Sequence, residues 1–365
     1  MAYAQRLKLL ELVSQRAYLL REGCITRDTP LPEMMRCGLR KERSVNAPPG
    51  LLPIALSVEL ALYSAYVKDS KPLSLLIIAP VGSGKTELLQ SYSENKGVVL
   101  YNDFTAYGLY TLLGQIQAGL VKHVLVADLV RLTSRGPSVW RQILTTLDAL
   151  IEEGVTRIDT FFVKFHSPTP VRAGIVAALT TDEWRARRET WIRYGFLSRA
   201  IPISYELAPE DLLKGEEAIY EGKSLFQPVK LKLPEAQVEV GLSEHIKEQL
   251  KRLGRIIAAV NQDETRFRSH KHVLAMAKAS ALRSGRMEVN EEDVNTLRAL
   301  SVLWLSPYSG DEPSFRIMLE LPKTSSQLID ALSPFYSKAT VYRRLQKLSQ
   351  LRAIKQEHGT WYSNL

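Results

Sequence analysis

Residues 73–89 read Leu73-Ser74-Leu75-Leu76-Ile77-Ile78-Ala79-Pro80-Val81-Gly82-Ser83-Gly84-Lys85-Thr86-Glu87-Leu88-Leu89. The run from Leu73 to Ala79 is short and apolar, the pattern of a strand buried on both faces. Pro80 ends it, and the chain from Thr86 onward reads as a helix. The spacing between them matches G-x-x-x-x-G-K-[ST], with Ala79 standing where the first glycine usually does. Glycines at 82 and 84 allow backbone N–H groups to wrap around phosphates. The helix N-terminus adds donors and partial positive charge. Ala79, Pro80, Val81, Gly82, Ser83, Gly84, Lys85 and Thr86 are therefore expected to bind a nucleoside triphosphate, ATP by preference. Lys85 would reach the β- and γ-phosphates, and Thr86 would offer its hydroxyl to Mg²⁺.

About forty residues on, Val124-Leu125-Val126-Ala127-Asp128 has the form of a buried strand ending in a carboxylate. In this order after a phosphate loop, Asp128 is expected to share the Mg²⁺ with Thr86. Strands are further expected at Val98–Tyr101, His123–Asp128, Gly174–Thr180 and Ile201–Tyr205. Helices are expected at Ile54–Val67, Tyr107–Leu120 and Val139–Glu153. Strands alternating with helices argue for a parallel sheet covered on both faces. Residues 50–207 are accordingly expected to form one α/β nucleotide-binding domain, entered after Pro48-Pro49-Gly50. Residues 208–306 read as a helical lid, with helices at Ser243–Val260, Thr265–Arg283 and Glu291–Leu305. Ser306–Gly310 reads as a linker, and residues 309–365 as a small separate domain. Residues 1–49 are expected to be an N-terminal helical segment, amphipathic by the three- and four-residue steps of Tyr3, Leu10, Val13, Ala17 and Leu20 and irregular around Arg27 to Asn46.

The chain has 365 residues, enough for two or three domains, and its apolar fraction of 45% is that of a globular protein. No run of 18 residues lacks charge, so no membrane span is expected and a cytoplasmic location is. Arg6, Lys8 and Glu11 interrupt the apolar core that a signal peptide needs. Cys24 and Cys37 are the only cysteines, too few for a disulfide framework or a zinc site. The net charge of +9 favours a polyanionic partner.

The phosphate loop, the Asp-ended strand and the helical region together resemble the AAA+ ATPases over residues 50–306. The fold class this implies is α/β, a P-loop AAA+ parallel sheet with a helical lid. In that family the Asp of the Walker B strand is usually followed by a Glu that polarises the attacking water. Here Leu129 follows, and a leucine neither accepts a proton nor orients water, so slow hydrolysis is expected. The resemblance carries the sensor-1 role to Thr180 and Thr181, after the strand Ile175–Leu179. It makes Arg199, in Gly195-Phe196-Leu197-Ser198-Arg199, a finger towards a neighbouring subunit's nucleotide, which implies a homo-oligomer in the ATP state. The lid is similar to that of origin-recognition and minichromosome-maintenance ATPases, where the residue matching Arg268 is sensor 2, with Arg266 as its rival. Residues 160–170 suggest a hairpin with a Pro-bearing tip, at the place where helicase-like members carry a DNA-contacting hairpin.

Residues 325–332 and 337–348 read as two helices, and 353–362 as two short strands turning near Gly359. This resembles a winged helix-turn-helix domain, whose second helix enters the DNA major groove. Val341, Leu345 and Leu348 share one face and belong to the core. Lys338, Thr340, Arg343, Arg344 and Lys347, with Lys355 on the wing, are then candidates for duplex DNA. The domain order resembles that of archaeal origin-recognition proteins and of the Holliday-junction branch-migration motor. The expected function is an ATP-binding protein, and an ATPase, acting on DNA in replication initiation, helicase loading or remodelling. The alternative is a nucleotide-gated regulator or defence-type switch that signals by assembly with little hydrolysis.

Overall fold

The computed structural model describes residues 47–363, except 49, 162, 206, 208, 262, 264, 302, 306–312, 314–316, 318–319, 334–335 and 351–353. The N-terminal helix, both cysteines and the linker expected at 306–310 lie outside the described residues. The chain divides into two compact units, Ser44–Val294 and one that includes Asn295–Leu365.

The first unit is built on five strands: β1 (Leu75–Ala79), β2 (Gly97–Tyr101), β3 (Val121–Val126), β6 (Gly174–Thr180) and β7 (Ile201–Ser204). They lie in the order β2-β3-β6-β1-β7, and every pairing is parallel. β1 is buried along its whole length, as its unbroken Leu-Leu-Ile-Ile-Ala sequence requires. The expected parallel α/β sheet is thus the one observed, with strand ends shifted by up to two residues. His123 on β3 is fully buried, with Nε2 3.2 Å from the Leu73 carbonyl oxygen, and its pKa is pushed down to about 4 by burial. It faces Gly174, where an added Cβ would lie 2.3 Å from Nε2, so only glycine fits there.

Around the sheet run α1 (Leu52–Ser64), α2 (Lys85–Ser91), α3 (Ala106–Thr111), α4 (Leu113–Gln117), α5 (Val130–Thr133), α6 (Pro137–Asp148), α7 (Thr181–Arg193) and α8 (Pro209–Tyr220). α1 is buried on every side from Ile54 to Ser64, which marks an interior helix. It packs against β1, β6 and α10 (Phe267–Arg283). On this helix Glu59 pairs with Arg283 of α10 and accepts a 3.2 Å hydrogen bond from Tyr92, the residue that ends α2. Glu59 and Arg283 are both almost wholly buried, so each needs the other.

Two expected helices are divided. Residues 107–120 form α3 and α4, broken at Leu112, in a segment whose Gly108 and Gly114 weaken a continuous helix. α6 widens into a π-helical turn, Ala149–Glu153, that stops at Gly154 with φ +81°. α7 was not anticipated from the sequence. Its surface is charged, and only Trp184 and Trp191 are buried, seven residues apart on one face. Those rings meet edge to face at 5.9 Å, and Trp140 and Phe196 join them, fastening α7 to α6. The hairpin expected near residue 160 is formed by β4 (Val155–Asp159) and β5 (Lys164–Val171). Its turn is Thr160–Val163, with Phe161 exposed, and Pro168 and Pro170 lie in the second arm rather than at the tip. The unit is completed by α9 (Glu244–Asn261) packed on α10, and by the short parallel pair β8 (Gly241–Leu242) and β9 (Glu288–Val289).

α11 (Glu291–Leu300) spans the boundary between the units. In the second unit come β10 (Lys323–Thr324), α12 (Ser325–Leu332), α13 (Lys338–Gln350), β11 (Ile354–Glu357) and β12 (Thr360–Ser363). The three strands form an antiparallel sheet in the order β10-β12-β11. Thr324 caps α12 in a reciprocal box with Gln327. Ile317, Leu321, Leu328, Leu332, Val341, Leu345, Leu348 and Ile354 make the core, with Trp361 packed on it. Among the described residues no helix is long and apolar enough to cross a membrane.

Candidate functional site

In a parallel sheet the loops leaving the carboxyl ends of the strands gather on one edge, and ligands bind there. In this protein those loops carry the phosphate loop after β1, Asp128 after β3, Thr180 at the end of β6 and Tyr205 after β7. Ala79 and Thr180 are partners in the β1–β6 register, so the phosphate loop and the expected sensor-1 position start side by side.

The loop itself is held in a defined shape. Gly82 and Gly84 both have positive φ, +76° and +82°, and Gly84 is the residue before α2. An added Cβ at Gly84 would meet the tip of the Phe226 ring at 2.7 Å, so that ring would have to shift, and the positive φ already favours glycine. Lys85 is buried, and its Nζ donates to Ala79 O at 2.9 Å, Pro80 O at 2.5 Å and Ser83 Oγ at 3.1 Å. Burial lowers its pKa, and the charges of Asp128 and Glu87 oppose that shift. An ammonium resting on neutral oxygens inside the loop is the donor that a phosphate would capture. Ser83 Oγ donates to Pro80 O, and Val81 is exposed at the loop tip.

Thr86 Oγ1 donates to Ala127 O at 3.3 Å, which brings the hydroxyl to the residue before Asp128. Asp128 is 41% exposed; its Oδ1 accepts the Val130 N–H at 2.9 Å, and Arg131 stands 3.9 Å from Oδ2. Leu129 is fully buried, and its N–H donates to Ala178 O at 2.8 Å. The position that resemblance would give to a water-orienting Glu therefore points into the core. Thr180 Oγ1 accepts the Glu183 N–H at 3.2 Å and so caps α7, while Thr181 opens that helix. Sequence reading overlooked Tyr205. Its hydroxyl donates to Ser83 O at 2.8 Å and stands 3.4 Å from Ser83 Oγ.

Arg199 and Arg268 are at the other edge of the sheet. Arg199 precedes β7, whose first residue Ile201 pairs with Leu75 at the start of β1. Four residues of strand separate that end from Ala79, roughly 13 Å at about 3.3 Å per residue. Arg199 Nη1 donates to Gly195 O at 2.7 Å, Nη2 lies 3.1 Å from Glu153, and Nε lies 3.6 Å from Asp148. Arg268 Nη1 donates to Ser198 Oγ at 2.8 Å, and its Nε is 3.8 Å from Glu152, which also pairs with Lys71. Burial pushes the Asp148 carboxyl up to about 6, against the pull of Arg199. His272 is buried beside this cluster and pushed down to about 4 by desolvation, despite Glu152 and Asp263. Among the buried atoms, Asp148 Oδ1, Arg199 Nε and His272 Nδ1 have no hydrogen-bond partner. Arg266, the rival of Arg268, has φ +65° and precedes α10.

On α13 of the second unit, Lys338 and Arg343 are exposed, and Thr340, Arg344 and Lys347 are half-buried. Lys338 Nζ lies 6.0 Å from the centre of the Tyr342 ring. Lys355 on β11 is exposed and ion-paired with Glu357 at 2.7 Å.

No protein-family model matches the chain, and no curated protein does. Solved structures do. A full-length MCM homologue from Methanopyrus kandleri aligns over 75% of this chain at 17% identity, with a TM-score of 0.44. The chain spans 61% of that homologue's length. The ORC2 protein of Aeropyrum pernix, solved as ADPNP–ADP complexes, aligns over 87% of this chain and 91% of its own at 15% identity, with a TM-score of 0.24. The five parallel strands, with a glycine-rich loop leaving the carboxyl end of an interior one and opening a helix, give this chain an α/β fold of the P-loop type.

Proposed function

We propose that this protein binds ATP with Mg²⁺ at the carboxyl edge of its sheet and uses the nucleotide to control its action on duplex DNA. The observation that carries the reading is the buried Lys85, whose ammonium lies within the glycine loop on neutral oxygens only. Lys85 and the N–H groups of Gly82 to Thr86 would hold the phosphates. Thr86 and Asp128 would hold the metal, which supplies charge neutralisation at the phosphates when bound. Thr180 pairs with Ala79 in the β1–β6 register and so stands beside the loop. Arg199 and Arg268 stand at the far edge, out of reach of their own phosphate loop, so their roles would be towards a second copy of the chain. The winged-helix reading of residues 309–365 is supported by the helix pair α12–α13 and the three-stranded sheet behind it, and it makes α13 the DNA-facing helix. Replication initiation, helicase loading and DNA remodelling are the processes that this combination suits.

A second reading, an assembly switch with little hydrolysis, is favoured by Leu129, since the core occupies the place of the expected water-orienting carboxylate. Turnover measured with and without DNA separates the two. The nucleotide assignment is tested by Lys85→Ala in calorimetric titration with ATP and Mg²⁺. Loss of most of the affinity is expected, because no other side chain of the loop brings positive charge to the phosphates. Undiminished affinity would overturn it.

A further inference from the structure

We infer that Tyr205 is a positioning residue for the phosphate loop, acting on the peptide between Ser83 and Gly84. This inference rests on the nucleotide-binding reading above and adds a residue that the loop sequence does not contain. The Tyr205 hydroxyl donates to the Ser83 carbonyl oxygen at 2.8 Å. In a trans peptide the carbonyl and the following N–H point in opposite directions, and the six atoms stay close to one plane. Holding Ser83 O on one side therefore fixes the Gly84 N–H on the other. Gly84 has φ +82° and leads into α2, where successive N–H groups form the anion cradle.

The peptide needs this restraint because Gly84, on one side of it, leaves one of its two flanking torsions free. Gly84 lacks the side chain that limits rotation about its φ, and Gly82, where an added Cβ would meet nothing within 4 Å, leaves the preceding peptide equally unrestrained. Tyr205 can supply resistance because it is itself fixed. It follows β7, its ring is buried, and its backbone N–H donates to Ile78 O at 3.4 Å, so the sheet that bears the loop also bears the clamp. Burial pushes the phenol up to about 12, which keeps the hydroxyl protonated as a donor across the working pH range. The clamp thus sets the loop before nucleotide arrives, as preorganised donors require.

The test is Tyr205→Phe, which removes the hydroxyl and leaves the ring. ATP and inorganic pyrophosphate are titrated calorimetrically into wild-type and variant full-length protein. ¹⁵N-glycine-labelled samples report the Gly84 amide resonance without nucleotide. Affinity is expected to fall about three- to tenfold, as removal of one hydrogen bond gives. The loss should be the same for pyrophosphate as for ATP, because the defect lies at the phosphates. The Gly84 resonance should shift or broaden in the nucleotide-free variant. Equal affinities in the two proteins would overturn the inference, and so would an affinity loss with an unmoved Gly84 resonance. A wild-type protein that binds neither ligand would overturn the phosphate-site reading itself, and the inference with it.

Discussion

If the site binds ATP as proposed, Leu129 is the residue whose identity bears most on whether the nucleotide is hydrolysed. From the sequence alone, replacing it by Glu looks like a way to complete a hydrolytic site. The structure argues otherwise, because the side chain is wholly buried and the backbone N–H is tied to Ala178 O on β6. A carboxylate there leaves water without a partner, and the cost of an unpaired buried charge exceeds that of most single substitutions. Leu129→Glu is therefore expected to destabilise the protein by about 4 kcal/mol or more and to bring no gain in turnover. Leu129→Met, which conserves volume, should cost less than about 1.5 kcal/mol. Urea unfolding of both variants checks this, and a Glu variant as stable as wild type would show that the position opens towards the nucleotide. The glycine loop after β1 was legible as a motif because its pattern is local, with glycine, lysine and threonine within five residues. Tyr205 was not, since nothing in a strand-ending tyrosine reveals that its hydroxyl meets a carbonyl 122 residues earlier in the chain.

The five strands were readable because parallel strands buried on both faces are short apolar runs, and β1 and β6 are nearly pure examples. α7 escaped notice because a helix that buries only two tryptophans among charged residues has little apolar periodicity. Which edge of the sheet each candidate occupies was also hidden, since register is a property of pairing and not of one segment. That register places Arg199 at the amino edge, 14% exposed, between Asp148 and Glu153. The structural ion pair is thereby one role of this side chain, and the finger for a neighbouring copy is a second, proposed one that has to be tested apart from it. Arg199→Ala alone is expected to lower stability by roughly 1–3 kcal/mol, less than a fully buried pair because the Glu153 side is exposed. The double variant Arg199→Ala/Asp148→Asn removes the stranded carboxylate and should recover most of that loss. If Arg199 also serves a neighbour, the stable double variant will bind ATP normally and fail in ATP-dependent assembly or turnover. Assembly and turnover equal to wild type in the double variant, measured by sedimentation and phosphate release, would leave only the structural role.

The protein as a whole joins a parallel α/β unit, for which nucleotide binding is proposed, to a unit whose C-terminal residues are modestly basic. From Ser309 to Leu365 there are eight Lys and Arg against five Asp and Glu, a modest excess whose placement matters more than its size. α13 buries Val341, Leu345 and Leu348 in the core of its unit and leaves Lys338 and Arg343 exposed. Lys355 already pairs with Glu357, so it contributes less free charge than its exposure implies. Full-length protein is expected to bind duplex DNA with a marked salt dependence, and Lys338→Ala/Arg343→Ala is expected to weaken it. If both side chains contact phosphates, binding to all sequences should weaken alike, and the slope of log affinity against log salt should fall by about two units. If Arg343 reads a guanine edge, the loss should be about 1–3 kcal/mol and confined to sites that carry that base. Fluorescence anisotropy on several duplexes across a salt series distinguishes the two patterns. Wild-type protein that shows no salt-dependent binding, or a double variant that binds as well as wild type, would assign α13 to contact with protein and move the assembly-switch reading ahead of the DNA-acting one.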